Sequence, residues 1–237
     1  MKPAAPPLRD TADIAGFLEA HTHLHALLSH VESLDLPDGW IGAGFVRNAV
    51  WDVLHGRTVD GSRLNDVDVV FLDPADASEE RDAVLESRLR ALAPGPSWQV
   101  KNQARMHRRN GDAPYGSTFD AIACWPETAT AVAARTVRGR VEVIAPYGVE
   151  DLIGMIVRPT PAFADKMHIY RERVTAKQWT ACWPKLTILA HRTEPEGRVS
   201  DRNDAPSKKG ASNGSQKCIP LFTSEALAAA KGVKSSS

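Results

Sequence analysis

Cysteine is scarce in this 237-residue sequence, long apolar runs are missing, and neither sign of charge is in excess. The three cysteines, Cys124, Cys182 and Cys218, are odd in number, widely spaced and free of any C-x-x-C pair. That excludes a zinc ribbon and a disulfide framework, and it fits thiols in a reducing compartment. No stretch approaches the about eighteen apolar residues that a membrane helix needs. The proline-rich residues 1–10 lack the apolar run of a secretory leader. The expectation is therefore a cytoplasmic protein with no membrane contact. Lys plus Arg and Asp plus Glu both count 29, so no overall field draws the chain to nucleic acid or to an anionic surface. Aromatics are sparse around the basic segment from Lys101 to Arg109, which argues against a base-stacking surface there. What is present in ordinary amount is apolar material, 43% of residues, enough for a core that needs no covalent staple.

The chain divides into a flexible lead-in (1–10), a folded region (11–190) and a polar tail (191–237). The tail is rich in Ser, Lys, Gly, Asn and Asp and buries too little surface to fold alone; a short helical stretch is expected at Glu225 to Lys231. In the folded region, apolar spacing predicts a helix from Thr11 to about Leu34, with Thr11 as N-cap. A strand over 40–45 ends in a tight turn, and a helix follows from Val46 to Leu54. The β-branched run from Asp66 to Leu72 reads as a buried strand, and Ser78 to Leu92 as a charged helix. Strands are expected over 98–106 and 118–125. A hairpin joins 128–135 to 140–144 through Arg138-Gly139. Helices cover 150–157 and 163–189, the second broken at Pro184. Strands alternating with helices, followed by a helical region, place the fold in the α/β (α+β) class.

Three features carry chemistry. Gly42-Ala43-Gly44 lies between a strand and a helix, where small residues let backbone approach a phosphate and a helix N-terminus supplies N–H donors. Asp66-Val67-Asp68 lies on a strand, whose period of two puts both carboxylates on one face. Adjacent like charges on a buried strand repel each other, and a cation that both can ligate resolves the conflict. Hard oxygen ligands of this kind suit magnesium, with phosphates completing the shell. Asp120 is a third acid among apolar neighbours, and three carboxylates can hold two metals about 3.5–4 Å apart. Glu142 competes for that role, although it also reads as the polar face of a hairpin. Gly44 and Asp66 are 22 residues apart, room for one helix and a return loop.

Arg47 and Asn48 sit on the first turn after the glycines, where Arg47 reaches either a phosphate or a nearby acid. Lys101, with Arg105, Arg108 and Arg109, supplies a second triphosphate contact or a solvated loop. Among the clustered histidines only His21 and His25 share a helix face, and no third metal ligand is apparent. Trp98, Trp125 and Trp183 are open to stacking on a base, although packing against the core is the commoner fate of a large aromatic.

A strand ending in Gly-x-Gly, a helix, and Asp-x-Asp on the next strand resemble the DNA polymerase β nucleotidyltransferase superfamily. Longer runs are similar to a family of bacterial nucleotidyltransferase-fold proteins: Trp40 to Asp52 (WIGAGFVRNAVWD), Asp66 to Asp73 (DVDVVFLD), Trp98 to His107 (WQVKNQARMH), Trp125 to Thr130 (WPETAT) and Ala145 to Asp151 (APYGVED). The similarity spans roughly 10–190. One departure is Gly42-Ala43-Gly44, where many superfamily members carry Gly-Gly or Gly-Ser. The resemblance implies a mixed-sheet core flanked by helices. It implies Asp66, Asp68 and Asp120 as ligands of Mg2+ or Mn2+, and Gly42 and Gly44 near the triphosphate; Arg47, Asn48 and Lys101, read from their own positions, join the expected nucleotide contacts. The implied reaction is attack by an acceptor hydroxyl on the α-phosphate of a nucleoside triphosphate, releasing pyrophosphate. The acceptor stays open among a small molecule, an RNA end and a protein.

Overall fold

In the computed structural model, residues 7–59, 64 and 66–189 are described; the tail from 191 and the stretch at 225–231 lie outside them. Two helices, α1 (Thr11–Ala20) and α2 (Thr22–Glu32), open the chain where one was expected. His21 takes an extended conformation and breaks the register between them; its Nδ1 bonds the Phe17 carbonyl at 2.7 Å. The α1 cap is Asp10, one residue before Thr11, accepting from the Asp13 N–H.

The central sheet has five strands in the order β3-β2-β1-β4-β5: β1 (Trp40–Gly42), β2 (Asp66–Phe71), β3 (Ser97–Asn102), β4 (Ala133–Val137) and β5 (Arg140–Ile144). It is mixed. β2 and β3 run parallel, joined through helix α4 (Glu79–Leu92), while β1 is antiparallel to both β2 and β4. The β4–β5 hairpin turns at Arg138-Gly139, both at positive φ (52° and 76°), as the sequence leads one to expect. Helix α3 (Gly44–Leu54) begins straight after β1.

Two segments expected as extended are helical. After β3 the chain enters α5 (Gln103–Asn110), because the buried Asn102 side chain caps it by accepting from the Ala104 N–H. The segment 118–123 is α6 (Thr118–Ala123), capped by Ser117, which accepts from the Asp120 N–H. A four-residue helix α7 (Glu150–Ile153) precedes β6 (Ile156–Val157). A 3-10 turn over Pro161–Lys166 leads into α8 (Met167–Lys177). Gln178 at φ 45° ends that helix, well before Pro184. The short α9 (Trp179–Cys182) and β7 (Thr187–Ile188), which pairs with β6, complete the described chain.

The sheet separates two apolar clusters. Val67, Val69 and Phe71 face the larger one with α1–α3. Val70 faces the smaller one with Trp40, Ile122, Trp125 and Ala133. Both sheet edges meet helix carboxylates. At the β3 edge the Val100 and Asn102 N–H groups donate to Glu86 (2.9 Å) and Asp82 (3.3 Å) of α4. At the β5 edge the Val141 N–H donates to Glu19 of α1 (3.5 Å). Among the described residues no helix is long and apolar enough to cross a membrane.

Candidate active site

Strand alternation along β2 sets Asp66 and Asp68 on the face of Val70, the side of the smaller cluster. Asp66 is exposed and Asp68 half-buried. Burial first, and then the charge of Asp66, push the Asp68 carboxyl above the ordinary carboxylate range; Arg173, Arg47 and Lys177 oppose the rise. On one side Asp68 is paired with Gln99 of β3. On the other, Ile41 pairs with Val69, and one step along this ladder brings Gly42 beside Asp68. The glycine turn and the carboxylate pair therefore meet, as their order in the sequence suggests.

The two glycines differ. At Gly42 any Cβ would overlap the outer edge of the Trp125 indole, so the missing side chain is required by packing. A Cβ on Gly44 would meet only Arg47 and Asn48, at 3.6 and 3.7 Å, in ordinary contact. Between them Ala43 is held at φ 41°, ψ −106°, a conformation unfavourable for an L residue, and its N–H donates to the Val132 carbonyl at 2.9 Å. No side chain caps α3 at this end, and the helix begins two residues after Gly42, the ladder neighbour of Asp68.

Arg47 is buried, 7% exposed. Its guanidinium donates to Thr130 Oγ1 at 3.1 Å and to Asn48 Oδ1 at 2.9 and 3.2 Å, and it lies over the Trp51 and Trp179 rings. Burial, followed by repulsion from Arg173, pushes its pKa down to about 10, against the pull of Glu127 and Asp68. Lys101 of β3 pairs with Glu86 at 3.4 Å and lines a cavity of about 80 Å³ together with Asp68, Arg109, Trp125 and Arg173. A larger cavity of about 220 Å³ lies between α2 and β4 and shares no lining residue with it.

Two site residues escape sequence reasoning. Glu127, with 0% exposure, accepts from Arg173 Nε at 2.8 Å, and its other oxygen has no hydrogen-bond partner in the protein. Arg173 comes from α8, 46 residues later. A buried acid in a loop has no periodicity to announce it, although Glu127 falls within WPETAT, one of the runs that carry the family resemblance.

Asp120 sits in the first turn of α6, exposed, and accepts from the Gly116 N–H at 3.1 Å. Glu142 is exposed on β5 and pairs with Arg135 at 2.8 Å. Among the described residues no three of His, Cys, Asp and Glu gather closely enough to hold a metal ion. Neither Asp120 nor Glu142 therefore completes a three-carboxylate cluster with Asp66 and Asp68 among the described residues. The reason for Asp120 is local: its segment is helical, so it is not delivered by a strand adjoining β2.

A mixed five-stranded sheet with a carboxylate pair beside a glycine turn and a helix N-terminus defines a polymerase β-like nucleotidyltransferase fold. The chain belongs to a nucleotidyltransferase family, which matches residues 29–188. It is similar to a solved structure described as a CCA-adding enzyme head domain, at 34% identity and a TM-score of 0.67, covering 77% of this chain and 97% of that one. Weaker likenesses are to the Thermotoga maritima CCA-adding enzyme complexed with tRNA (15% identity, TM-score 0.44) and to a CCA-adding enzyme with ATP (14% identity, TM-score 0.45). Each covers 76% of this chain, which spans only 42% and 43% of those two proteins. No curated protein matches the sequence.

Proposed function

We propose that this protein moves a nucleoside monophosphate from a nucleoside triphosphate to an acceptor hydroxyl and releases pyrophosphate, with Mg2+ or Mn2+ held by Asp66 and Asp68. The observation that carries this reading is the position of Asp68: a half-buried carboxylate, beside a second one on the same strand face, next to an uncapped helix N-terminus. The donor set fits a hard divalent ion, since two like-charged oxygen ligands forced together are relieved by a cation between them. When bound, such an ion supplies charge neutralisation at the phosphates and at the leaving oxygen.

The protein's own part is positioning and charge. Lys101, Arg109 and Arg173 set three positive charges around Asp68 in the cavity lining and attract the phosphate chain. The Gly42–Gly44 turn leads into α3 with no side chain capping the helix. Arg47 holds Asn48 and Thr130 in place, and Glu127 orients Arg173. The acceptor to test first is an RNA 3′ end, because the 34%-identical structure is described as the head domain of a CCA-adding enzyme. A cytoplasmic setting suits both nucleoside triphosphates and the thiols of Cys124 and Cys182.

The test is to incubate wild type and Asp68→Asn with each α-labelled nucleoside triphosphate, Mg2+ or Mn2+, and fractionated cell extract. Label passing to RNA only with wild type supports the reading and its acceptor. Label passing to protein or small molecules corrects the acceptor. Equal transfer by Asp68→Asn removes the metal assignment.

A further inference from the structure

Trp125, which lines the cavity beside Asp68, carries a donor that the fold itself leaves unused. Trp125 is 4% exposed, and its indole N–H has no hydrogen-bond partner. Buried donors are nearly always satisfied, so the nitrogen needs an explanation that the ring does not. Packing explains the ring, which lies against Gly42 and joins Trp40, Val70, Ile122 and Ala133 in the smaller apolar cluster. A phenyl ring would contribute to the same cluster without stranding an N–H.

The backbone around Trp125 is also fixed. Its N–H donates to the Ile122 carbonyl at 3.0 Å, and its own carbonyl accepts from Thr160 Oγ1 at 2.7 Å. With Gly42 closing on the far edge of the ring, the indole has little freedom to swing away and find a partner within the protein.

Resting on the donor-site reading above, we infer that Trp125 is a nucleotide-selecting residue whose indole N–H donates to an oxygen of the phosphate chain. Two properties of the cavity single out phosphate over base or sugar. Its lining carries three cations and one carboxylate, with the Glu86 and Glu127 partners of Lys101 and Arg173 lying outside it, and this suits an anion. Its volume, about 80 Å³, is far below the roughly 300–1,000 Å³ of sites that enclose a whole small ligand and is on the scale of a single phosphate group. The consequence is discrimination by phosphate number: a triphosphate or pyrophosphate places one phosphate by Asp66 and Asp68 and another at Trp125, whereas a monophosphate has a single phosphate for the two places.

The experiment compares wild type and Trp125→Phe by calorimetric titration in Mg2+ with the four nucleoside triphosphates, their monophosphates and inorganic pyrophosphate. Losing a hydrogen bond to a charged acceptor should weaken triphosphate and pyrophosphate binding about tenfold or more and leave monophosphate binding in place. In the transfer assay KM should rise much more than kcat falls, because the contact exists before and during the reaction. Wild type supplies a second readout that no folding defect can cloud. Of the six indole N–H signals in a 15N-labelled sample, the one missing in Trp125→Phe should move downfield on saturation with magnesium pyrophosphate. Equal triphosphate and pyrophosphate affinities in the two proteins, or an indole signal that stays put, would overturn the inference while the donor site stands. A wild-type protein that binds neither ligand would overturn the donor-site reading, and the role of Trp125 with it.

Discussion

Trp183 donates its indole N–H to Asp52 Oδ1 at 2.9 Å, a buried bond spanning 131 residues of sequence. It ties the chain after α9 to the last turn of α3, and around it Trp51 meets the edges of Trp179 and Trp183 at centroid distances of 6.0 and 5.2 Å. The other end of α3 opens the candidate site, so the C-terminal segment that supplies Arg173 is anchored on the helix it serves. Asp52→Ala strands the indole donor and removes a partner of Arg57. It should destabilise the protein by about 2 kcal/mol, read as a lower urea midpoint. An unchanged midpoint would show that the bond does not hold this segment down.

Gly42→Ala and Gly44→Ala should part company. The first forces the Trp125 ring or β1 to shift and should cost about 1–3 kcal/mol. The second adds a methyl group in ordinary contact at the start of a helix and should be close to neutral in stability. Thermal melts of both variants decide the matter. Equal melting temperatures would mean that the close approach at Gly42 is not what demands glycine.

Asp68→Asn should lower transfer by on the order of 100-fold or more while raising the stability of the metal-free protein. The sign follows from the raised carboxyl. In the unfolded chain the group loses its proton near 3.8, and in the folded protein it does so at higher pH. Wild-type stability is therefore lost as pH climbs from 3.8 through the folded-state value. The advantage of Asp68→Asn, measured in chelator, should be fullest at neutral pH and shrink on acidification across that window. A constant difference from pH 4 to 7 would contradict it. In the transfer assay, Asp120→Asn should stay within about threefold of wild type, because its carboxylate serves the Gly116 turn; a 100-fold loss would restore it as a ligand.

Glu127→Gln keeps the shape and removes the charge that faces Arg173 and Arg47. Breaking a buried pair in this way should destabilise by about 3 kcal/mol, seen in chemical denaturation, and should weaken triphosphate binding as Arg173 loses its orientation. Wild-type stability in this variant would show that Asp68 alone balances the two arginines.

Much of this arrangement is legible in the sequence. The Asp66–Phe71 strand, the glycine turn, the helix behind it and the Arg138-Gly139 hairpin all have local causes: alternation, small residues at a turn, positive φ at a tight corner. The departures occur where two local signals compete. Alternation over Trp98, Val100 and Asn102 is real, but Asn102 also caps a helix, and the cap ends the strand there. At Ser117-Thr118-Phe119-Asp120, a Ser followed three residues later by an acid is a helix-start pattern, and it outweighs the apolar, strand-like composition that follows. Glu127 and Arg173 were beyond reach for another reason. Their partnership depends on how α8 folds back on the loop after α6, and nothing local in either segment encodes that.

The carboxylates of Glu19, Asp82 and Glu86 have a consequence for how molecules of this protein meet. Each accepts from an outward N–H of a border strand, occupying the amides that a neighbouring chain would need in order to extend the sheet. A second copy, or a partly unfolded one, would have to displace a charged acceptor to pair with the Val100, Asn102 or Val141 amide. The fold thus resists growing into fibrils by strand addition, and encounters between copies at high concentration are turned toward helical and loop surfaces.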